Sequence, residues 1–231
     1  MTDDWIVTVW QVDLDACRRH LPAHLHLLSS DELGRAKRFR SAVHRDWFIA
    51  CRVALRLVLG ARLAMRPGRL RFRYGPSGKP ELGSVPTGIR FNVSHTHGRA
   101  LIAVASRFDI GVDIEREAPV PDWKGLSALV FSDQERRALA EAGDKPGAFL
   151  RVWTRKEAVL KALGIGLSGS PADLTVSLGH EPAIITNLAE GGSPSDWTLV
   201  DLSGTVGVAA LAARVPGASV RLRKMDLRCD G

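Results

Sequence analysis

Two seven-residue segments 104 positions apart resemble each other, Ala54-Leu-Arg-Leu-Val-Leu-Gly60 and Ala158-Val-Leu-Lys-Ala-Leu-Gly164. Both copies run from an alanine through apolar residues to a closing Leu-Gly. A strand-like run, Ala100–Ala105, likewise has a counterpart in Val206–Leu211. Two matches at nearly the same spacing indicate a duplicated structural unit. We therefore predict an α+β fold of two similar halves. The alternative is that two such short matches arise by chance.

The linker and the helices follow from local signals. The proline-containing stretch Glu117–Asp122 is the best candidate for a link, which gives subdomains of residues 1–116 and 117–231. Capping serines and early acids predict helix from about Ser30 to Met65, with a break near Ser41–Asp46. In the second half, Ser132-Asp-Gln-Glu135 is a capping-box pattern. A further helix is predicted from about Gly147 to Leu163.

The composition is that of an ordinary globular protein. The chain has 231 residues, of which 45% are hydrophobic and 25% charged, and this excludes disorder along the whole chain. The longest apolar runs are too short to span a bilayer, and the first residues lack the pattern of a secretory signal. The three cysteines are few and widely spaced, so we expect a reducing, cytoplasmic location without membrane contact.

Positive charge is concentrated in the first half. The formal net charge is +7, and residues 1–115 hold 18 basic and 11 acidic residues. The segment Arg35–Arg73 has twelve basic residues against one acid, Asp46. Such a field attracts a nucleic acid, a phosphorylated small molecule or an acidic protein. A solvated basic face without a ligand is the alternative.

Two carboxylates share one face of a predicted strand, Ile110-Gly-Val-Asp-Ile-Glu115. Its apolar residues alternate with Asp113 and Glu115, which predicts a half-buried strand. The Cα atoms of the two acids lie about 7 Å apart, so both side chains could reach one hard cation. Mg²⁺ prefers such oxygen ligands together with water and substrate phosphates. The alternative is a pair of solvated acids at a strand end.

A third carboxylate follows in the segment Trp153–Leu167. Trp153, Glu157 and Lys161 are spaced to share one helix face, and Lys156 lies beside it. One interpretation is an exposed Glu–Lys pair on an amphipathic helix. The other is a third metal carboxylate flanked by lysines that bind phosphate.

Further phosphate donors are predicted in the first half. Phe91-Asn-Val-Ser-His95 places Ser94 and His95 at a strand, where both can donate hydrogen bonds to phosphate oxygens. Lys79 lies in Ser77-Gly-Lys-Pro80, whose glycine spacing and final proline exclude a Walker A loop.

Taken together, four stretches in this order resemble the 4′-phosphopantetheinyl transferases, specifically the larger monomeric, surfactin-synthetase type. They are Ser77–Pro80, Phe91–His95, Gly111–Glu115 and the long Trp-x-x-Lys-Glu-Ala-x-x-Lys-Ala-x-Gly-x-Gly-Leu motif that ends at Leu167. The resemblance covers about Trp10 to Leu167. It implies two pseudo-symmetric α+β subdomains with the active site at their interface.

The resemblance also implies a reaction. Such enzymes transfer phosphopantetheine from coenzyme A to a serine of an apo carrier protein and release adenosine 3′,5′-bisphosphate. The implied metal is Mg²⁺, with Mn²⁺ as an alternative. The implied partner is an acidic acyl, peptidyl or aryl carrier domain, in fatty-acid or secondary-metabolite synthesis, and the enzyme is expected to be a monomer that binds no nucleic acid.

Residue roles follow from the same motifs. Asp113, Glu115 and Glu157 are implied to bind the metal, and Asp113, Glu157 and Lys161 to be catalytic. Glu157 or a metal-bound water is implied to deprotonate the serine, and the role of Glu135 stays open. The residues implied to contact coenzyme A are Arg45, Arg52, Lys79, Ser94, His95, Lys156 and Lys161.

Two other functions remain open. A different Mg²⁺-dependent phosphoryl-transfer enzyme or a nuclease could use the same three carboxylates. A non-enzymatic nucleic-acid-binding module could use the positive charge, although aromatic residues make up only 6% of the chain and are not interleaved with the basic run.

Overall fold

A computed structural model describes residues 5–75, 78–83, 88–166, 170–179, 181–186, 189–204 and 207–227. Ser77 and Leu167, which belong to the quoted motifs, lie outside the described residues. Val206, at the start of a predicted strand, and Cys229 also lie outside them.

Eleven β-strands and seven α-helices are defined in the described part of the chain. The strands are β1 Ile6–Asp13, β2 Phe72–Tyr74, β3 Pro80–Leu82, β4 Ile89–Thr96, β5 Arg99–Ser106, β6 Ile110–Glu115, β7 Thr175–Val176, β8 Ile184–Thr186, β9 Thr198–Asp201, β10 Val208–Ala213 and β11 Ser219–Met225. The helices are α1 Leu14–Cys17, α2 Leu21–His24, α3 Ser30–Ala36, α4 Ala42–Leu63, α5 Trp123–Val130, α6 Asp133–Glu141 and α7 Lys145–Leu163.

The helix ends largely follow the capping signals. Ser29 and Glu32 form a capping box at α3, and Ser132 and Glu135 form another at α6. The predicted break separates α3 from α4 and falls slightly earlier than expected, because Ser41 caps the second helix. Both long helices end on a residue in the left-handed conformation, Ala64 after α4 and Gly164 after α7.

Two sheets form the centre of the molecule. The larger has the strand order β11-β1-β5-β4, and the smaller has the order β6-β10-β9. Their facing sides bury a shared apolar layer that includes Val9, Leu101, Val112 and Leu211. The opposite face of the larger sheet packs against α4, and that of the smaller sheet packs against α7.

The duplication predicted from the repeat is confirmed by this arrangement. The helices α4 and α7, which carry the two copies, cover equivalent faces of β1-β5-β4 and β6-β10-β9. In each half the central strand pairs antiparallel with both neighbours. The α+β fold with two pseudo-symmetric subdomains is therefore present.

The two halves exchange strands. β6 precedes the predicted boundary at residue 116 but pairs antiparallel with β10 of the second half. β11 comes from the end of the described chain and pairs parallel with β1 of the first half. The division into subdomains at residue 116 stays a prediction. Each of the two sheets contains strands from both sides of that residue.

Candidate functional site

The carboxylates of β6 face the helix α7. Ile110, Val112 and Ile114 point into the layer between the sheets, as their alternation predicted. We expected the opposite face to be solvated, but Asp113 is only 4% exposed because α7 covers it. The strand is therefore buried on both faces, and only Glu115 at its end is partly exposed.

A glycine permits this close contact between strand and helix. A Cβ atom at Gly111 would lie 2.0 Å from the carbonyl oxygen of Ala158 and 2.5 Å from the amide nitrogen of Ala162. Both atoms belong to the backbone of α7, so no side chain could move aside. The missing side chain lets the helix backbone rest directly on β6.

One face of α7 supplies the partners of the two strand acids. The side chain of Trp153 hydrogen-bonds with Glu115, which also bonds with Thr96. Two turns further on, Lys161 Nζ lies 2.5 Å from Asp113 Oδ1. The predicted common face of Trp153, Glu157 and Lys161 is thus the face that meets β6.

Ser94 completes the contact around Asp113. Its hydroxyl donates to Asp113 Oδ1 at 2.8 Å and accepts from Lys161 Nζ at 3.1 Å. Ser94 comes from β4 of the larger sheet, Asp113 from β6 of the smaller sheet, and Lys161 from α7. The site therefore lies where the two halves meet, as the family resemblance implied.

Negative charge at the site is incompletely balanced. Asp113 Oδ2 and Glu157 Oε1 are buried without a hydrogen-bond partner in the described part of the chain. Burial raises the pKa of Glu115, and the charge of Asp113 raises it further. Burial also raises the pKa of Glu157; Lys161 opposes that shift, whereas Asp113 and Glu115 add to it.

These oxygens fit a hard cation. The three carboxylates influence one another electrostatically, and among the described residues two of their buried oxygens lack a hydrogen-bond partner, which is costly unless further positive charge is bound. Among the described residues, no three Asp, Glu, His or Cys side chains lie close enough together to hold a metal ion as they stand. Lys161 supplies the neighbouring positive charge instead.

Lys79 and His95 lie near this centre. Lys79 Nζ donates to the carbonyl oxygen of Lys161 at 2.6 Å, and burial lowers the pKa of Lys79. His95 follows Ser94 on β4. Although His95 as a whole is exposed, its pKa is lowered by desolvation of the ring and by the positive charges of Lys161 and Arg35. The contact of both residues with coenzyme A stays a prediction.

The expectation for Lys156 is revised. Its side chain is 2% exposed and points away from the carboxylates, with Nζ 2.6 Å from Glu135 Oε2. It also donates to the carbonyl oxygen of Leu174. Glu135 in turn accepts from the amides of Ser132 and Val176, each at 2.8 Å. This buried network joins α6, α7 and β7 and leaves Lys156 no access to a phosphate.

Arg45 and Arg52, the two arginines expected to contact coenzyme A, differ in their exposure to solvent. Arg52 is buried and donates to Glu32 Oε1 at 2.6 Å, while Arg56 donates to Glu32 Oε2 at 2.8 Å. Arg52 therefore holds α4 to α3, and its contact with coenzyme A stays a prediction. Arg45 is exposed and pairs with the neighbouring Asp46, and it likewise stays a candidate.

Comparison with known proteins identifies the family. The chain is 40% identical over 166 residues to the 4′-phosphopantetheinyl transferase HetI of Nostoc sp., an alignment that covers 70% of each protein. The chain belongs to the 4′-phosphopantetheinyl transferase superfamily. A model of that superfamily matches residues 109–214, which include β6, α7 and β10.

Other relatives agree with this assignment. A putative 4′-phosphopantetheinyl transferase of Synechocystis sp. is 37% identical over 166 residues, covering 70% of this chain and 66% of that protein. The holo-[acyl-carrier-protein] synthase structure of Thermotoga maritima is 21% identical and covers 47% of this chain and 63% of that one. The TM-score between the two structures is 0.40. The chain is thus a 4′-phosphopantetheinyl transferase.

Proposed function

We propose that this transferase moves the 4′-phosphopantetheine group of coenzyme A to a serine of an apo carrier protein. The reaction requires Mg²⁺ and releases adenosine 3′,5′-bisphosphate. The proposal is supported by the position of Asp113, Glu115 and Glu157 within electrostatic reach of one another and of Lys161. Asp113 and Glu157 each hold a buried carboxylate oxygen without a hydrogen-bond partner in the described part of the chain.

The three carboxylates would hold the metal. Bound Mg²⁺ would offset negative charge on the pyrophosphate of coenzyme A and on the departing phosphate. Mn²⁺ takes similar oxygen ligands and is the alternative.

The residues of the chain then have separate tasks. The carrier serine oxygen forms a bond to the phosphorus that carries the pantetheine arm. The bond from that phosphorus to the oxygen that bridges the pyrophosphate breaks, and adenosine 3′,5′-bisphosphate leaves. Glu157, or a water held at the metal, would take the serine proton. Lys161 leaves Asp113 to contact the phosphates and stabilise the leaving group, while Ser94 keeps Asp113 oriented.

The charge of the first half suits these substrates. Coenzyme A carries several phosphates, and we assign Lys79, His95 and the exposed Arg45 as candidate cations for them. An acidic carrier protein would also be steered to a chain with a net charge of +7. None of the helices in the described residues is long and apolar enough to cross a membrane. A monomeric, cytoplasmic enzyme stays our prediction.

The test is direct transfer. Purified protein is incubated with coenzyme A, Mg²⁺ and a panel of apo carrier proteins, and the intact carriers are weighed by mass spectrometry. We expect a phosphopantetheine-sized gain that disappears with EDTA or with Glu157→Gln. The matched control is Glu141→Gln, the same change at an exposed position of α6. Transfer that persists in Glu157→Gln or in EDTA would contradict the assignment of the metal site.

A further inference from the structure

A groove runs along the edge of the larger sheet farthest from the candidate site. β11 forms this edge, whereas β4 at the opposite edge carries Ser94. Among the described residues, no strand pairs with the outer side of β11. The other wall of the groove is the last part of α4, including Ala61 and Arg62.

Two adjoining cavities make up the groove. Their volumes are about 470 and 390 Å³, and both are lined by Trp10, Arg62 and Arg223. Apolar side chains form the rest of the floor, so the groove offers hydrophobic contact between its basic walls. The apolar side chains of the floor are Ile6, Leu57, Val58, Val104 and Met225.

The charge of the groove is strongly one-sided. Arg62, Arg221, Arg223 and Lys224 line it, and Asp226 is the one acid among its described lining residues. Within the described part of the chain, no hydrogen bond or ion pair engages the side chains of Arg221, Arg223 and Lys224. Their charges are thus available to an incoming anion.

Basic residues on an edge strand can also serve only to prevent aggregation. That explanation does not account for Leu222, which is 54% exposed in the middle of β11. Nor does it account for a hydrophobic floor beneath the arginines. A strand with free backbone groups, exposed apolar surface and unpaired cations is suited to accept a partner strand.

We propose that this edge of the larger sheet binds an extended acidic segment of another protein, which pairs with β11 and adds a strand to the sheet. Alternate carboxylates of the segment face Arg221 and Arg223, which lie on one side of β11, two residues apart. The apolar side chains between them point to the opposite face of the sheet, beside the exposed Leu222. The inference is independent of the proposed transferase reaction, because the groove lies at the other edge of the sheet.

The test uses a fluorescent peptide of alternating Glu and Val, as long as the seven residues of β11. Its binding to the full chain is followed by fluorescence anisotropy, without coenzyme A or metal. We expect Arg223→Glu to weaken binding by at least about tenfold, because attraction becomes repulsion. The matched control Arg137→Glu, on the exposed side of α6, should bind as the unchanged protein does.

A second peptide tests strand addition. It carries N-methyl groups at alternate residues, which remove the backbone donors that a new strand would use, and we expect it not to bind. Equal weakening by Arg223→Glu and Arg137→Glu would overturn the proposal, as would equal binding of the methylated peptide or no binding at all. Sedimentation that shows a dimer of the unchanged protein and a monomer of Arg223→Glu would also overturn it, because a second copy of the chain would then occupy this edge. Circular dichroism verifies that both variants are folded.

Discussion

Replacing Lys156 with methionine tests the buried network behind the site. Methionine keeps the length of the side chain but leaves Glu135, which is 1% exposed, as an uncompensated buried carboxylate. The lost ion pair is 2.6 Å long, and breaking a buried pair from one side costs about 3–5 kcal/mol of unfolding free energy. For a chain of this size that corresponds to a fall in Tm of about 10 °C.

The partner variant separates charge from packing. In Lys156→Met/Glu135→Gln both charges are absent, so we expect the double variant to lose less stability than the sum of the two single losses. Urea denaturation gives the three free energies, and a transfer assay gives kcat and KM.

A different result is expected if Lys156 contacts coenzyme A instead of stabilising the fold. If Lys156 bound coenzyme A, its replacement would raise the KM for coenzyme A with little change in stability. A loss of stability under about 0.5 kcal/mol, the range of ordinary surface changes, together with a raised KM would refute the structural role of the pair.

Two further changes test other contacts. Gly111→Ala places a methyl group 2.0 Å from the Ala158 carbonyl oxygen, so α7 must move; we expect at least about 2 kcal/mol of lost stability in urea and reduced kcat. Unchanged values would show that the helix does not need this contact. Burial would raise the pKa of Glu32, but Arg52 and Arg56 outweigh burial and leave that pKa below its usual 4.5. The Glu32 carboxylate therefore stabilises the fold above pH 4.5 and loses this contribution as pH falls through the lower folded pKa. Glu32→Gln should cost about 3 kcal/mol at neutral pH, and the difference should shrink in unfolding measurements at acid pH; a difference independent of pH would refute the assignment.

Much of the fold and the centre of the site could be predicted from local patterns. Capping boxes at Ser29 and Ser132, the alternation in β6 and the repeat shared by α4 and α7 each depend on neighbouring residues. The spacing of Trp153, Glu157 and Lys161 also specified a single helix face. Since each of these signals involves residues close together in the sequence, it can be recognised without knowledge of the fold.

Contacts between distant residues were not predictable in the same way. Lys156 is adjacent to Glu157, but one step along a helix turns a side chain by about 100°, toward Glu135 instead of the site. The pairing of Arg52 with Glu32 spans twenty residues, and arginines crowd that part of the sequence. The placement of β11 beside β1 depends on sheet order, which no local periodicity encodes.

The exchange of β6 and β11 makes the halves complementing fragments. A chain cut between residues 116 and 122 would yield a first piece that holds β6, needed by the second sheet, and a second piece that holds β11, needed by the first. Each piece alone would lack one strand of its own sheet, and the two pieces together would restore both sheets. We therefore expect an enzyme divided in this loop to regain full transfer only when both pieces are present, so that transfer would depend on whatever brings the pieces together.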